Sequence, residues 1–442
     1  NMAYNLGDYN LARSLHEQGL EIYKALGDTN AMAPSYNNLG HLARRRGEYE
    51  LARSLLNEAL KISHATGNQT LEATNLNNLG LVAYDLGDYP GARKLQEQSL
   101  QIFSTLGDKW GMAMALNDLG KVVYEQGDFD AAHEFYERSL TLQQELGDRS
   151  GVAAALLSLG KVAHDRSDYQ AAHDRYEQSL SLFRELGDKR GIADGLHGLG
   201  KVAFRQADYP TAQATFEESL LMRRELGDKR YIAESLNNLG LVELAQANYA
   251  KAQALLDSSL ALWRELDSKA RVPTSLNNLG LVATMRSDYD AAFRYLEESL
   301  ALFEQVGKKQ GVAFATINMG LVHFRQGQYE QARSLYRRSL EMFESLGGQL
   351  HVATCLARLA VVEACDGDYT RAAVLSGAAE AIFEALGSPL PAFEHTFYDP
   401  ALADARNSMG EAQFATAFSE GKAMSYNRAV EFALEKAVAF HE

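Results

Sequence analysis

The chain has 442 residues, a formal net charge of −15 and a pI near 5.3, with 46% hydrophobic and 23% charged residues. This is the balance of a folded chain, which excludes a disordered polymer and opposes a nucleic-acid or anionic-membrane surface, since both need clustered positive charge. Two cysteines, Cys355 and Cys365, are too few for a disulfide framework, match no metal spacing, and with no run of about eighteen apolar residues point to a reducing cytoplasm.

The first residues, Asn1–Asn10, already stand inside a pattern. Asn1 has the phase of His41 and Leu81, directly after a Leu-Gly pair that the next units carry. The expectation is a fragment that begins inside a helix, cut from a longer polypeptide whose amino-terminal part precedes it.

From there the register holds. Leu-Gly recurs every 40 residues, from Leu39-Gly40 through Leu79-Gly80 and Leu199-Gly200 to Leu279-Gly280, continues as Met319-Gly320 and fades to Leu359-Ala360. An alanine keeps a second phase from Ala12 to Ala372, with an aromatic residue three positions earlier. A fixed period of this size means a solenoid, so the length is one stack of repeats and not three separate cores.

Each unit divides into two helices, because apolar residues recur at spacings of three and four and breakers stand at two fixed points. In the unit LNNLGLVAYDLGDYPGARKLQEQSLQIFSTLGD the first helix stops at Gly87, Asp88 caps the second, and Gly107-Asp108 closes the unit. Each helix is expected to run about eighteen residues, or about 27 Å. Gly80 and Ala92 fall within helices, where close approach of the paired helices accounts for small residues. Pro90 and Pro210 belong to a first turn, and Pro34 and Pro273 to the first turn or two of a first helix.

Leu-Gly, then Gly-Asp-Tyr, then Ala three on, then Ser-Leu or Ala-Leu resembles the tetratricopeptide repeat over about residues 1–387, in the 40-residue form similar to the mitotic-spindle adaptor Pins. Ser167, Ala207, Ala247 and Ser287 depart from it by replacing the mid-repeat glycine, and Asp267 by replacing the terminal one. The resemblance implies an all-α, right-handed superhelical solenoid of about ten helix-turn-helix units, the first truncated.

The pattern decays after Gly347, where Gly348 removes the cap, and Ser388-Pro389-Leu390-Pro391 breaks the chain. Two amphipathic helices off the period are expected at Phe397–Met409 and Glu411–Phe440, giving a solenoid over 1–387 and capping helices over 388–442. LSGAAEAIFEALGSPLP and the segment after it resemble the tail of MalT-like and AfsR-like bacterial signal-transduction ATPases. In that family a nucleotide-binding ATPase precedes the repeats.

No stretch carries catalytic chemistry. Gly195-Leu-His-Gly-Leu-Gly200-Lys201 imitates a phosphate loop, but Val202 replaces the magnesium-binding Ser or Thr and the stretch lies in a helix instead of following a strand. His133-Glu134 lacks a second histidine, and Asp366-Gly-Asp368 is an inter-helix turn without the spaced ligands of a calcium loop. The expectation is no enzyme, no metal and no cofactor.

The binding signal lies on the first helix of each unit, opposite its core stripe, where the resemblance places the concave groove. Asn38, Asn78, Asn238, Asn278 and Asn318 each offer a donor and an acceptor to a peptide backbone; alternatively, they bond between neighbouring helices. Lys121, Lys161 and Lys201 make a basic centre, and Arg205 and Arg325 stand on the same face. Leu241, Leu281 and Leu321, in phase with Leu81, form an apolar row that fits a partner or packing between repeats. A second basic row, Lys109, Arg149, Lys189-Arg190, Lys229-Arg230 and Lys308-Lys309, has an aspartate beside most members and reads as a solvated edge, with no nucleic acid bound directly. The function expected is recognition of a protein or an extended peptide, in trans or from the same polypeptide, by the sensor module of a bacterial signalling ATPase. A free-standing scaffold and small-molecule sensing in the groove are the alternatives.

Overall fold

The computed structural model describes residues 9–435; the expectation about the start of the first repeat falls mainly on residues 1–8, outside them. The described residues form 22 helices and no strand. They run as sequential antiparallel pairs, such as α1 (Lys189–Arg205) with α2 (Tyr209–Glu225), α3 (Lys229–Ala245) with α4 (Tyr249–Glu265), and α5 (Val272–Met285) with α6 (Tyr289–Gln305). The pairs α7 (Lys309–Arg325) with α8 (Tyr329–Ser345), and α9 (Gln349–Cys365) with α10 (Tyr369–Leu386), follow. This is a helical solenoid of the kind the period implies.

The expected stop signals act where the sequence puts them. Gly107 sits at φ +67°, and the Asp108 amide donates to the Phe103 carbonyl while its carboxylate accepts from the Gly111 amide at 3.0 Å. Ser167, Ala207, Ala247, Asp267 and Ser287 take the same left-handed conformation, at φ from 47° to 63°, without being glycine. The turn geometry is therefore imposed by the packed helices on either side, against the local preference. Helix α5 has 14 residues and starts at Val272, with Pro273 in its first turn, where the missing N–H needs no partner within the helix.

Close approach explains the helical glycines. A Cβ on Gly120 would lie 2.6 Å from the Tyr136 ring, and one on Gly280 2.6 Å from Leu296. The serine of the Ser-Leu motif ties each pair together: Ser139 Oγ donates to the Ala113 carbonyl at 2.8 Å and Ser259 Oγ to Ala233 at 2.7 Å, with both serines fully buried.

By their contacts the helices group into two units. One extends to Arg166 and includes Asp174–Gly187; the other comprises Ser167–His173 and everything from Asp188 onward. In the first unit, Val123, Ala132, Tyr136, Leu156 and Leu159 form one of the buried clusters. In the second, a cluster around Tyr336, Phe343, Leu356 and Leu359 includes Ala429 and Val430 from the carboxy-terminal helices.

The carboxy-terminal segment differs from its reading in two ways. Its first helix, α11 (His395–Met409), starts two residues early, and the expected long second helix is broken into α12 (Glu411–Lys422) and α13 (Tyr426–Leu434), with Phe440 outside the described residues. The break comes at Ala423–Ser425, where the Ser425 hydroxyl accepts from the Arg428 amide at 3.3 Å and starts a new helix. Helix α12 crosses α10 glycine to glycine: a Cβ on Gly421 would lie 1.9 Å from the Val374 carbonyl oxygen, and one on Gly377 2.0 Å from that of Phe418. This contact replaces the expected second half of the repeat pattern.

Candidate functional site

Within the first unit, Asn38 and Asn78 are half-buried and Lys161 is exposed. Lys121 Nζ donates to Asp118 Oδ1 at 2.8 Å, and the other oxygen of that carboxylate accepts from Asn77 at 2.9 Å. The lysine is thus already neutralised by a carboxylate on its own helix.

Within the second unit, the amide row joins repeats. Asn278 donates to Asn237 Oδ1 at 2.9 Å, Asn318 donates to Asn277 Oδ1 at 3.1 Å, and the Asn238 amide nitrogen lies 3.1 Å from His197 Nε2. Leu241, Lys201, Arg205 and Arg325 are half-buried, Leu281 is 9% exposed, and Leu321 is fully buried.

Leu281 and Leu321 belong to one cluster with Phe393 and Phe397, from the segment that follows the solenoid, and the Phe397 ring lies 5.8 Å from Phe324. Ser388 Oγ donates to the Arg205 carbonyl at 3.0 Å, and the Ala392 amide donates to the Tyr209 hydroxyl at 3.3 Å, 183 residues away in each case. Arg358 Nη2 donates to Glu394 Oε1 at 2.5 Å, and its Nη1 to the Ile317 carbonyl at 3.0 Å. Residues 388–398 therefore lie as a strap of the same chain along the first-helix face of the second unit.

The strap leaves part of that face open. A pocket of about 410 Å³ lies within the second unit, lined from α1, α3, α5, α7 and α9 by Phe204, Arg205, Leu241, Asn278, Phe314, Asn318, Thr354 and Arg358, and also by Arg271 and Lys308. The structure brings five expected residues to it: Arg205, Leu241, Asn278, Leu281 and Asn318. Lys201, Asn238, Leu321 and Arg325 do not line it.

Sequence reading missed Arg271, His351 and Arg358. Arg358 has the phase of Asn278 and Asn318 and continues that row one unit farther; Arg271 and His351 stand where Gly111, Gly151, Gly191 and Gly311 stand in other units. A large side chain at a glycine phase is the signal that marks them. Phe393 and Glu394, which lie off the period, carry no such signal.

The electrostatics are cationic. Burial, with Arg205 nearby, lowers His351 to about 3, so it is neutral, and it packs edge-on to Phe314 with centroids 4.6 Å apart. Burial pushes the carboxyl of Glu234 up, but His197, Arg271, Arg223 and Lys201 outweigh this and hold it at about 2. No aspartate or glutamate lines the pocket. Elsewhere, burial pushes the Cys355 thiol up to about 12, which disfavours the reactive thiolate. Among the described residues no group of three or more His, Cys, Asp or Glu is placed to hold a metal ion, and no helix is long and apolar enough to cross a membrane.

The second basic row faces carboxylates. Lys109 meets Glu145 and Lys189 meets Glu225, each at 2.8 Å, and Arg149 and Lys229 pair with Glu185 and Glu265. The neighbouring aspartates Asp108, Asp148 and Asp188 cap helices.

The family model described as "Tetratricopeptide repeat" matches residues 1–63, 71–145, 134–185, 191–265, 231–305 and 311–385. No curated protein matches the chain. Among solved structures, the apo form of the quorum sensor NprR from B. thuringiensis is similar, with a TM-score of 0.55 at 15% identity, covering 78% of this chain and 100% of that one. A Rap protein complexed with competence and sporulation factor gives 0.54 at 14% identity, over 75% of this chain and 97% of that one. A signal transduction ATPase with numerous domains and a tetratricopeptide repeat sensor, from Pyrococcus horikoshii, gives 0.49 at 13% identity, over 75% and 53%. At these identities the likeness is one of fold.

Proposed function

The chain belongs to the tetratricopeptide repeat family, and from that premise we propose that it is a peptide- and protein-recognition module, the sensor part of a larger cytoplasmic bacterial signalling or transcription-regulating ATPase. Residues 1–387 are the recognising solenoid and 388–442 its cap. The observation that carries this reading is the open pocket on the first-helix face of the second unit, assembled from five successive repeats and bordered by a strap of the chain itself. A concave, partly apolar site with a few polar groups is the usual form of a ligand site. The Rap protein of similar fold is itself complexed with a named factor, which supports a peptide or protein ligand here. Function on this reading is recognition, with no cofactor and no catalysis. Ligand binding biases one arrangement of the parent over another through its differential affinity for the two.

Small-molecule sensing is the second reading. The pocket volume favours it, since it lies within the range of small-ligand sites, about 300–1,000 Å³.

Affinity capture from extract of the cells that encode the chain tests the first reading, with Lys201→Glu/Arg205→Glu as comparison. The reading expects a protein held by the parent and lost from the variant. The same set of proteins on both would contradict it.

A further inference from the structure

The α1–α2 pair and the α9–α10 pair are separated in the stack by three further pairs, yet they meet. Ser388, just past the end of α10, donates to the Arg205 carbonyl at the end of α1 at 3.0 Å. The Ala392 amide donates to the Tyr209 hydroxyl at the start of α2 at 3.3 Å. Phe204 and Arg205 of α1 also line one pocket with His351 and Thr354 of α9. Neighbouring helices pack about 8–10 Å apart, so four steps along a straight stack would part α1 from α9 by about 30–40 Å. The second unit is therefore curled until its two ends close on a seam, and the pocket is enclosed because the seam is shut.

The two sides of the seam hold the strap unequally. On the α9 side Glu394 is buried on Arg358, and Phe393 and Phe397 are buried in one cluster with Leu321 and Val361. Leu390 joins the cluster of Tyr336 and Leu356. No described residue of α1 or α2 belongs to either cluster. There the strap is held by the two neutral hydrogen bonds, one of them made by the exposed Ala392. A neutral hydrogen bond nets little over the bond to water that replaces it, whereas parting a buried ion pair strands a charge. The weak side is the one toward α1 and α2.

We propose that this seam is a gate: the α1–α2 pair parts from the strap while the strap stays on α9, and the opening admits ligands too large for the closed space of about 410 Å³. The curvature of a solenoid is the sum of small rotations between repeats, so a slight change at each interface separates the ends. The gate rests on the recognition reading for its purpose, but its motion is measured without a ligand.

Ser388 is only 3% exposed, so a thiol placed there reacts only when the seam opens. The test is alkylation by iodoacetamide of the full chain carrying Ser388→Cys and Cys365→Ser, with fully buried Cys355 on α9 as the reporter of wider unfolding. The thiol at position 388 is expected to react while Cys355 stays unmodified. Tyr209→Phe should speed that reaction about two- to tenfold and leave Cys355 untouched. Phe129 holds the phase of Tyr209 in another unit, so this substitution keeps an aromatic residue that the repeat accepts. Both thiols reacting at one rate would mean that only unfolding exposes the seam and would overturn the gate, as would an unchanged rate at position 388 in Tyr209→Phe.

Should Ser388→Cys not fold, pulsed EPR replaces it, with nitroxides at the exposed positions Ala214 on α2 and Ala392 on the strap, or Gln331 on α8 and Ala392. A second, longer distance in the first pair alone supports the gate. A longer distance in the second pair, or none in either, overturns it. Each of these failures leaves peptide recognition standing, because that reading is tested separately by affinity capture.

Discussion

Arg358 and Glu394 lie 36 residues apart in sequence and meet at 2.5 Å, with side chains only 4% and 3% exposed. One belongs to the repeats and the other to the strap, so the pair fastens the carboxy-terminal segment to the first-helix face. A buried ion pair adds little over an apolar pair of the same shape, but removing one partner strands a charge. Glu394→Gln is therefore expected to destabilise the protein by about 3–5 kcal/mol, read from the midpoint of urea unfolding. A change below about 1 kcal/mol would mean that solvent reaches Arg358.

The left-handed turns give a prediction of opposite sign. Ala207 and Ala247 hold φ of 59° and 61°, where a Cβ is unfavourable and glycine is not. Ala207→Gly and Ala247→Gly are each expected to stabilise by about 0.5–1 kcal/mol after the greater unfolded-state entropy of glycine is included. Denaturant midpoints that fall would show these turns to be relaxed.

Gly421 has no such freedom. Its Cβ would meet the Val374 carbonyl, a backbone atom that moves only with its helix. Gly421→Ala should cost about 1–3 kcal/mol or more through overpacking, whereas Gly67→Ala has open space and only the penalty of its φ of +70°. Thermal unfolding of the pair separates steric from conformational effects. A smaller loss at Gly421 than at Gly67 would refute the glycine crossing of α10 and α12.

Acid should weaken the second unit through His351. Its folded value is lowered to about 3, so between about pH 6.5 and pH 3 the unfolded chain binds a proton that the folded one does not. Stability is unaffected above that window and falls within it as pH drops, by at most about 1.4 kcal/mol per unit. His351→Phe should flatten this slope in unfolding measured from pH 7 to 4. An unaltered slope would show that His351 protonates without opening its aromatic packing.

Much of this was legible because a repeat is its own control. Asp108 and Gly107 stop and start helices by chemistry confined to neighbouring residues, and a register kept from Ala52 to Ala372 makes each local signal unambiguous. The site was less legible. Asn278 and Asn318 have the dual character expected of peptide-binding amides, yet each donates to an asparagine 41 residues earlier; spacing along one helix does not show which side chains the next repeat brings near. Phe393, Glu394 and Phe397 return to the repeats across long stretches of chain, a placement set by how successive pairs stack and not by any local pattern.

The central claim is that ligands are recognised on the first-helix face of the second unit. A photo-crosslinking residue at exposed Gln310, on the pocket rim, compared with one at exposed Ala254 on a second helix, tests it directly in cell extract. The account predicts a discrete crosslinked partner from position 310, absent from position 254 and lost in the Arg205→Gln/Arg271→Gln background. The same partner captured from position 254, with nothing from position 310, would place recognition on the other face and contradict it.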